Sequence, residues 1–148
     1  MRISAKGRYA LASLTFMAQQ YNSGEYVTVI TISEELGISK IYLEQVFSLL
    51  KKAELVISSK GAQGGYLLSR MPREISVLDV LSAVEVSLFE QAQETVPDKA
   101  PEIDKALRSS VFDVLDQNVA KTLSGITLSD LVNEAEKYKN DQAMMFYI

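Results

Sequence analysis

The stretch from Ser39 to Arg70, SKIYLEQVFSLLKKAELVISSKGAQGGYLLSR, constrains the fold more than any other part of this 148-residue sequence. Leu43, Val46, Leu49 and Leu50 fall at i, i+3, i+6 and i+7, which is one face of a helix. Ser39 precedes that helix where an N-cap belongs, with a hydroxyl able to accept from the free amides of the first turn. The opposite face carries Lys40, Tyr42, Glu44, Gln45, Ser48, Lys51 and Lys52, side chains that can hydrogen-bond base edges or phosphates. Two short strand-like runs follow, Leu55–Ser59 and Tyr66–Ser69. Between them Lys60–Gly65 supplies Gly61, Gly64 and Gly65, which permit positive φ and close approach of backbone to a ligand. A helix followed at once by a glycine-tipped hairpin is the outline of a winged helix-turn-helix. The expected class is therefore mainly α with a small β-hairpin wing.

Composition narrows the chemistry. The sequence holds no cysteine and no histidine, which excludes disulfides, thiolate nucleophiles, Ser-His-Asp catalysis and the usual zinc and iron–sulfur ligand sets. No metal and no cofactor is expected, and paired carboxylates occur in no recognisable catalytic context, so an enzyme is not expected either. No apolar run approaches the ~18–20 residues that span a bilayer, and no charged-then-apolar export signal opens the chain. A cytoplasmic location without a membrane partner is the expectation. The net charge of −4 is unevenly spread: residues 1–73 hold nine Lys/Arg and five Asp/Glu, whereas residues 74–148 hold six and fourteen. A basic front and an acidic back suit a protein that binds a polyanion with one face, although chance asymmetry of solvated surfaces gives the same count.

Taken in order, Ser4 can cap a first helix with Ala10, Leu11, Leu14, Met17, Ala18 and Tyr21 on one stripe. Arg2, Lys6 and Arg8 cluster before that stripe and could meet phosphates, or could be a solvated start. Thr28 can cap a helix from Val29 to about Leu36 with Val29, Ile32 and Leu36 inward, and Gly37 stands where a helix ends in a left-handed residue. Helix, glycine turn and second helix match a helix-turn-helix, a pattern that a generic helical pair would share. In that motif Lys40, Ile41, Glu44 and Gln45 are nearest the base edges. A glutamate accepts from cytosine N4, and a glutamine can bridge adenine N6 and N7. Ser76 with Asp79 is a capping-box-like start for a helix bearing Val77, Val80, Leu81, Val84 and Leu88. Gln91–Pro101 reads as a loop. Ile103, Leu107, Val111, Val114, Leu115 and Leu123 then form a stripe on a helix of roughly twenty residues, ended by Gly125. Such a helix needs a partner surface, either a second subunit or its own amino-terminal domain. Thr127 and Asp130 cap a last, short helix through Leu131, Val132 and Ala135, and the tail from Asp141 to Ile148 is apolar for a chain end. Three regions result: a winged helix-turn-helix at 1–73, a connecting helix and loop at 74–101, and dimerisation helices with a tail at 102–148.

Met1–Ser4 (MRIS), Lys6–Ala10 (KGRYA), Tyr42–Gln45 (YLEQ), Gly64–Tyr66 (GGY) and Ile75–Glu85 resemble, in sequence and order, the IscR/NsrR/CymR winged-helix regulators of the Rrf2 family. The resemblance implies a homodimer on partly palindromic double-stranded DNA, with a long helix crossing to the other subunit. It places Glu44 and Gln45 on the recognition helix and Lys60–Gly65, including Gly61, Gly64 and Gly65, in a minor-groove wing. Thr28, Ser39, Lys40, Tyr42, Lys51 and Lys52 complete the implied DNA-facing set. Two departures stand out. Lys60 replaces the usual wing arginine and loses its planar fork, and Ile41 stands where a small polar residue is common, so the preferred operator can differ.

Cluster-bearing members of the family hold iron–sulfur through cysteines between the fourth and fifth helices. The matching segment here, about Phe89–Asp104, offers Glu90, Glu94, Asp98 and Glu102, poor ligands for soft metals. The nearest likeness within the family is then the cluster-free CymR branch, repressors of cysteine metabolism that act with cysteine synthase. That resemblance implies that Phe146, Tyr147 and Ile148 dock into the enzyme as a peptide bearing a terminal carboxylate, or else pack on their own dimer. The alternatives are a repressor of the same family answering another signal, and an interaction module acting mainly through its tail.

Overall fold

Short-range hydrogen-bond chemistry starts most of the helices where the sequence offers a hydroxyl. The computed structural model describes residues 3–61 and 64–146. Arg2, Tyr147 and Ile148 of the candidate site residues, and the wing-tip pair Ala62 and Gln63, lie outside the described residues. The Ser4 hydroxyl accepts from Gly7 N at the start of α1 (Ala5–Gln19), and Thr28 accepts from Thr31 N at the start of α2 (Val29–Leu36). α2 ends on Gly37 at φ 67°, a left-handed conformation that glycine adopts without a Cβ penalty. α3 (Lys40–Lys52) follows after two residues. Ser39 is its N-cap residue, but its side chain makes no capping hydrogen bond, contrary to expectation. Its backbone ψ of 128° starts the helix with the hydroxyl turned elsewhere.

α3 ends in a Schellman motif built without glycine. Leu55 N donates to Leu50 O and Glu54 N donates to Lys51 O, with Glu54 at φ 61° and Leu50 and Leu55 both buried. The chain turns there into β1 (Val56–Ser58), which pairs antiparallel with β2 (Tyr66–Leu68) in the register Val56 with Leu68, Ile57 with Leu67 and Ser58 with Tyr66. Val27 adds an antiparallel bridge to Tyr66, with hydrogen bonds of 2.9 and 2.8 Å, so the segment before α2 borders the wing.

α4 (Val77–Val84) begins with a complete capping box between Ser76 and Asp79, and Leu88, expected on the same helix, lies beyond its end in a short 3₁₀ turn. After an irregular segment, α5 (Pro101–Leu107), a π turn (Arg108–Phe112) and α6 (Asp113–Ser124) run on as one helical rod that stops at Gly125. α7 (Leu128–Phe146) starts with a reciprocal Thr127/Asp130 cap. At 19 residues it is far longer than the short last helix expected. Its Glu, Lys, Gln, Ala and Met residues are strong helix formers and favour its continuation past Ala135, where the described residues are exposed. The starts of α4 and α7 lie side by side: Val77 N donates to Ile126 O and Leu128 N to Ile75 O.

One core joins α1, α3, α4 and the hairpin. Leu14, Ile32, Leu43, Phe47, Leu50, Ile75 and Leu128 are fully buried. Phe47, absent from the expected stripe on α3, packs its ring 4.8 Å from that of Tyr66. Leu49 and Tyr21 are only partly buried, and Leu36 is exposed. Among the described residues no helix is long and apolar enough to cross a membrane.

Candidate nucleic-acid interface

The exposed face of α3 is assembled from its first two turns. Lys40, Ile41, Glu44, Gln45 and Ser48 are all exposed, while Leu43, Val46, Phe47 and Leu50 hold the helix from behind. Lys40 Nζ lies 3.8 Å from Glu44 Oε1, an exposed i,i+4 pair that steers the carboxylate toward the helix start and adds little to stability. Lys6 comes from α1 to the same surface. With Ile41, Glu44, Gln45, Ser48 and Leu49 it lines an open concavity of about 570 Å³. Ser48, expected on the polar face of α3, therefore shares this surface. Tyr42 does not face outward as its position on the polar side suggests. It is half-buried, its ring meeting that of Tyr9 edge-on at 5.1 Å, so it braces α3 against α1.

The amino-terminal basic residues are held in place by a contact 81 residues away in sequence. Glu85, only 6% exposed, accepts from Ser4 N at 2.7 Å and from Ser4 Oγ at 2.6 Å. A carboxylate at that end of α1 also meets the positive end of the helix dipole. Gly7 makes the approach possible: a Cβ there would overlap Glu85 Oε1 and lie 2.6 Å from Ile3 Cγ2. Lys6 and Arg8 flank this buried glycine, Lys6 half-buried and Arg8 exposed.

The wing needs its second pair of glycines for a related reason. Gly64 and Gly65 sit at φ 68° and 111°, and a Cβ on Gly65 would come within 3.2 Å of Val27 O. Ser59 N donates to Gly65 O across the wing, and Lys60 and Gly61 stand exposed before the tip. Lys51 and Lys52 project from the last turn of α3, and half-buried Thr28 is occupied in capping α2. The start of α3 and Lys6 of α1 are thus brought to one surface, while Thr28 caps α2 and Tyr42 packs on Tyr9.

Residues 3–134 match the family model described as Rrf2, iron-dependent transcriptional regulator. The chain belongs to the Rrf2 family of transcriptional regulators. It is 39% identical to the transcriptional regulator IscR of Pectobacterium atrosepticum over 139 residues, covering 92% of this chain and 82% of the relative. Among solved structures, IscR of T. potens superposes with a TM-score of 0.72 at 33% identity, covering 93% of this chain and 90% of that one. CymR, the global cysteine regulator of B. subtilis, gives 0.73 at 30%, with 90% and 98% covered. The winged-helix architecture is common to them. The expected special closeness to CymR is not borne out: the curated relatives at 36–39% identity are IscR proteins, and CymR is a structural neighbour beside them.

The family description raises iron, and the donor set of this Rrf2 chain does not fit an iron–sulfur cluster. The sequence contains no thiolate and no imidazole. Among the described residues no group of three or more carboxylates is gathered as metal ligands. Asp104 on α5 turns one oxygen to the loop before it: Oδ1 accepts from Thr95 N at 3.1 Å and Val96 N at 2.9 Å, while Oδ2 is buried without a hydrogen-bond partner among the described residues. Hydrogen bonds to a side chain on α5 fold this loop.

Proposed function

We propose that this Rrf2 regulator is a homodimeric, sequence-specific DNA-binding repressor that works without a thiolate-held cluster. The observation that carries the reading is the shared surface of Lys6, Ile41, Glu44, Gln45 and Ser48 beside the glycine wing. It supplies phosphate-binding cations and base-reading groups on the first turns of one helix. Dimerisation accounts for the rod of α5 and α6, where Ile103 and Leu115 are at least half exposed and Val111 and Val114 are nearly so. Selection of duplexes from a randomised pool, followed by fluorescence anisotropy, tests the reading. Gln45→Ala should change sequence preference, whereas Lys52→Ala should weaken all duplexes alike and flatten the salt dependence. Equal losses on selected and scrambled DNA for both variants would refute these roles. Leu115→Asp should shift the sedimenting species from dimer to monomer.

A second reading concerns the signal. Control of cysteine metabolism together with cysteine synthase is favoured by the cysteine-free sequence, by the likeness to B. subtilis CymR and by the uncovered end of α7, where Phe146 is 90% exposed. Titration of purified cysteine synthase against the full chain and a chain ending at Ala143 tests it. Equal affinity, or none for either, removes the enzyme as partner and leaves the repressor standing.

A further inference from the structure

Ile41 occupies an unusual place for a large aliphatic side chain. It is the second residue of α3, 70% exposed, on a concavity whose other lining residues are Lys6, Glu44, Gln45, Ser48 and the half-buried Leu49. Nothing in the described chain covers it. It does not extend the apolar stripe of the rod, and its helical neighbours three and four residues on are Glu44 and Gln45. In a helix-turn-helix the amino-terminal turn of the second helix goes deepest into the major groove. The one apolar group that a base pair presents there is the C5-methyl of thymine.

Glu44 fixes what lies beside it. Its carboxylate, drawn toward the helix start by Lys40, can only accept. It therefore suits an exocyclic amino donor, cytosine N4 or adenine N6, and is repelled by guanine O6 and N7 and by thymine O4. Ile41, one turn earlier on the same face, then meets the base pair next to that position. We propose that Ile41 is a specificity-determining residue that reads the C5-methyl group of a thymine in each half-site. The proposal rests on the reading of α3 as the recognition helix.

The test replaces single thymines by deoxyuridine, which removes the methyl group and leaves the pairing edge intact. Duplexes are first enriched from a randomised pool by the wild-type protein, and anisotropy then gives affinities for wild type and Ile41→Ala. One thymine per half-site should show about a fourfold loss on demethylation with wild type, the worth of one buried methyl group. With Ile41→Ala the methylated and demethylated duplexes should bind alike. Because Ile41 is exposed, the variant should keep its helical circular dichroism. The proposal is overturned if no thymine in the enriched sites matters to wild type, or if the methyl effect survives undiminished in Ile41→Ala. Failure to enrich any duplex would instead bring down the recognition-helix reading, and this proposal with it.

Discussion

Gly7→Ala is the substitution that most directly probes how α1 is seated. On helix propensity alone alanine should help by up to about 1 kcal/mol. The structure reverses that sign. The new Cβ would overlap Glu85 Oε1 and stand 2.6 Å from Ile3 Cγ2 and 3.0 Å from Leu81 Cδ2. Glu85 has little room to retreat, being buried, and the displaced oxygen is the acceptor for both Ser4 N and Ser4 Oγ. Hydrogen bonds to a charged group contribute roughly 1.5–3 kcal/mol each. Losing one and weakening the other outweighs the propensity gain, for a net destabilisation of about 2–3 kcal/mol. Urea unfolding at fixed protein concentration measures it, and with an m value of about 1–3 kcal/mol/M the midpoint should fall by roughly 1–2 M. A second arm isolates the cause: in a Glu85→Ala background the same glycine substitution should cost less than about 1 kcal/mol, because the overlapping oxygen is gone. A Gly7→Ala protein as stable as wild type, or equal costs in both backgrounds, would refute the reasoning.

Of three other substitutions, two should stabilise and one destabilise, each for an equally local reason. Ser13 is fully buried on α1 with a hydroxyl that finds no partner among the described residues, so Ser13→Ala should raise stability by about 1 kcal/mol in the same urea assay. Glu54 holds a left-handed conformation in the Schellman turn after α3, where glycine carries no Cβ penalty; Glu54→Gly should raise the midpoint by the equivalent of about 0.5–1 kcal/mol after the entropy cost of glycine. Gly65→Ala meets both a φ of 111° and the Val27 carbonyl, and should cost about 1–3 kcal/mol while weakening duplex affinity in anisotropy through a displaced wing.

How much of this was legible in the sequence follows the range of the interactions. Ser4, Thr28, Ser76 with Asp79, and Thr127 with Asp130 mark helix starts through contacts three residues away, and each acts as its residue type suggests. Ser39 shows the limit, since a cap position does not guarantee a cap bond. α3 and the hairpin were readable because apolar spacing and glycines are local signals. Contacts between distant segments were not. Nothing in the spacing of Glu85 announces Ser4 as its partner, and nothing before α2 announces that Val27 would border the hairpin. Tyr42 looked free on a helical wheel until Tyr9 on another helix met it. The length of α7 was hidden for a different reason: its second half has no buried stripe to count among the described residues.

Arg70, just past β2, donates through Nε to Glu74 O and through Nη2 to Asp79 Oδ2, the same oxygen that accepts from Ser76 N. Ser76 is bridged in turn to Thr127 at the head of α7. Wing and final helix are thereby linked by consecutive hydrogen bonds with no slack segment between them. The foot of the hairpin is thus tied to the head of α7 through the start of α4, so that loss of the Arg70–Asp79 contact would loosen both ends together.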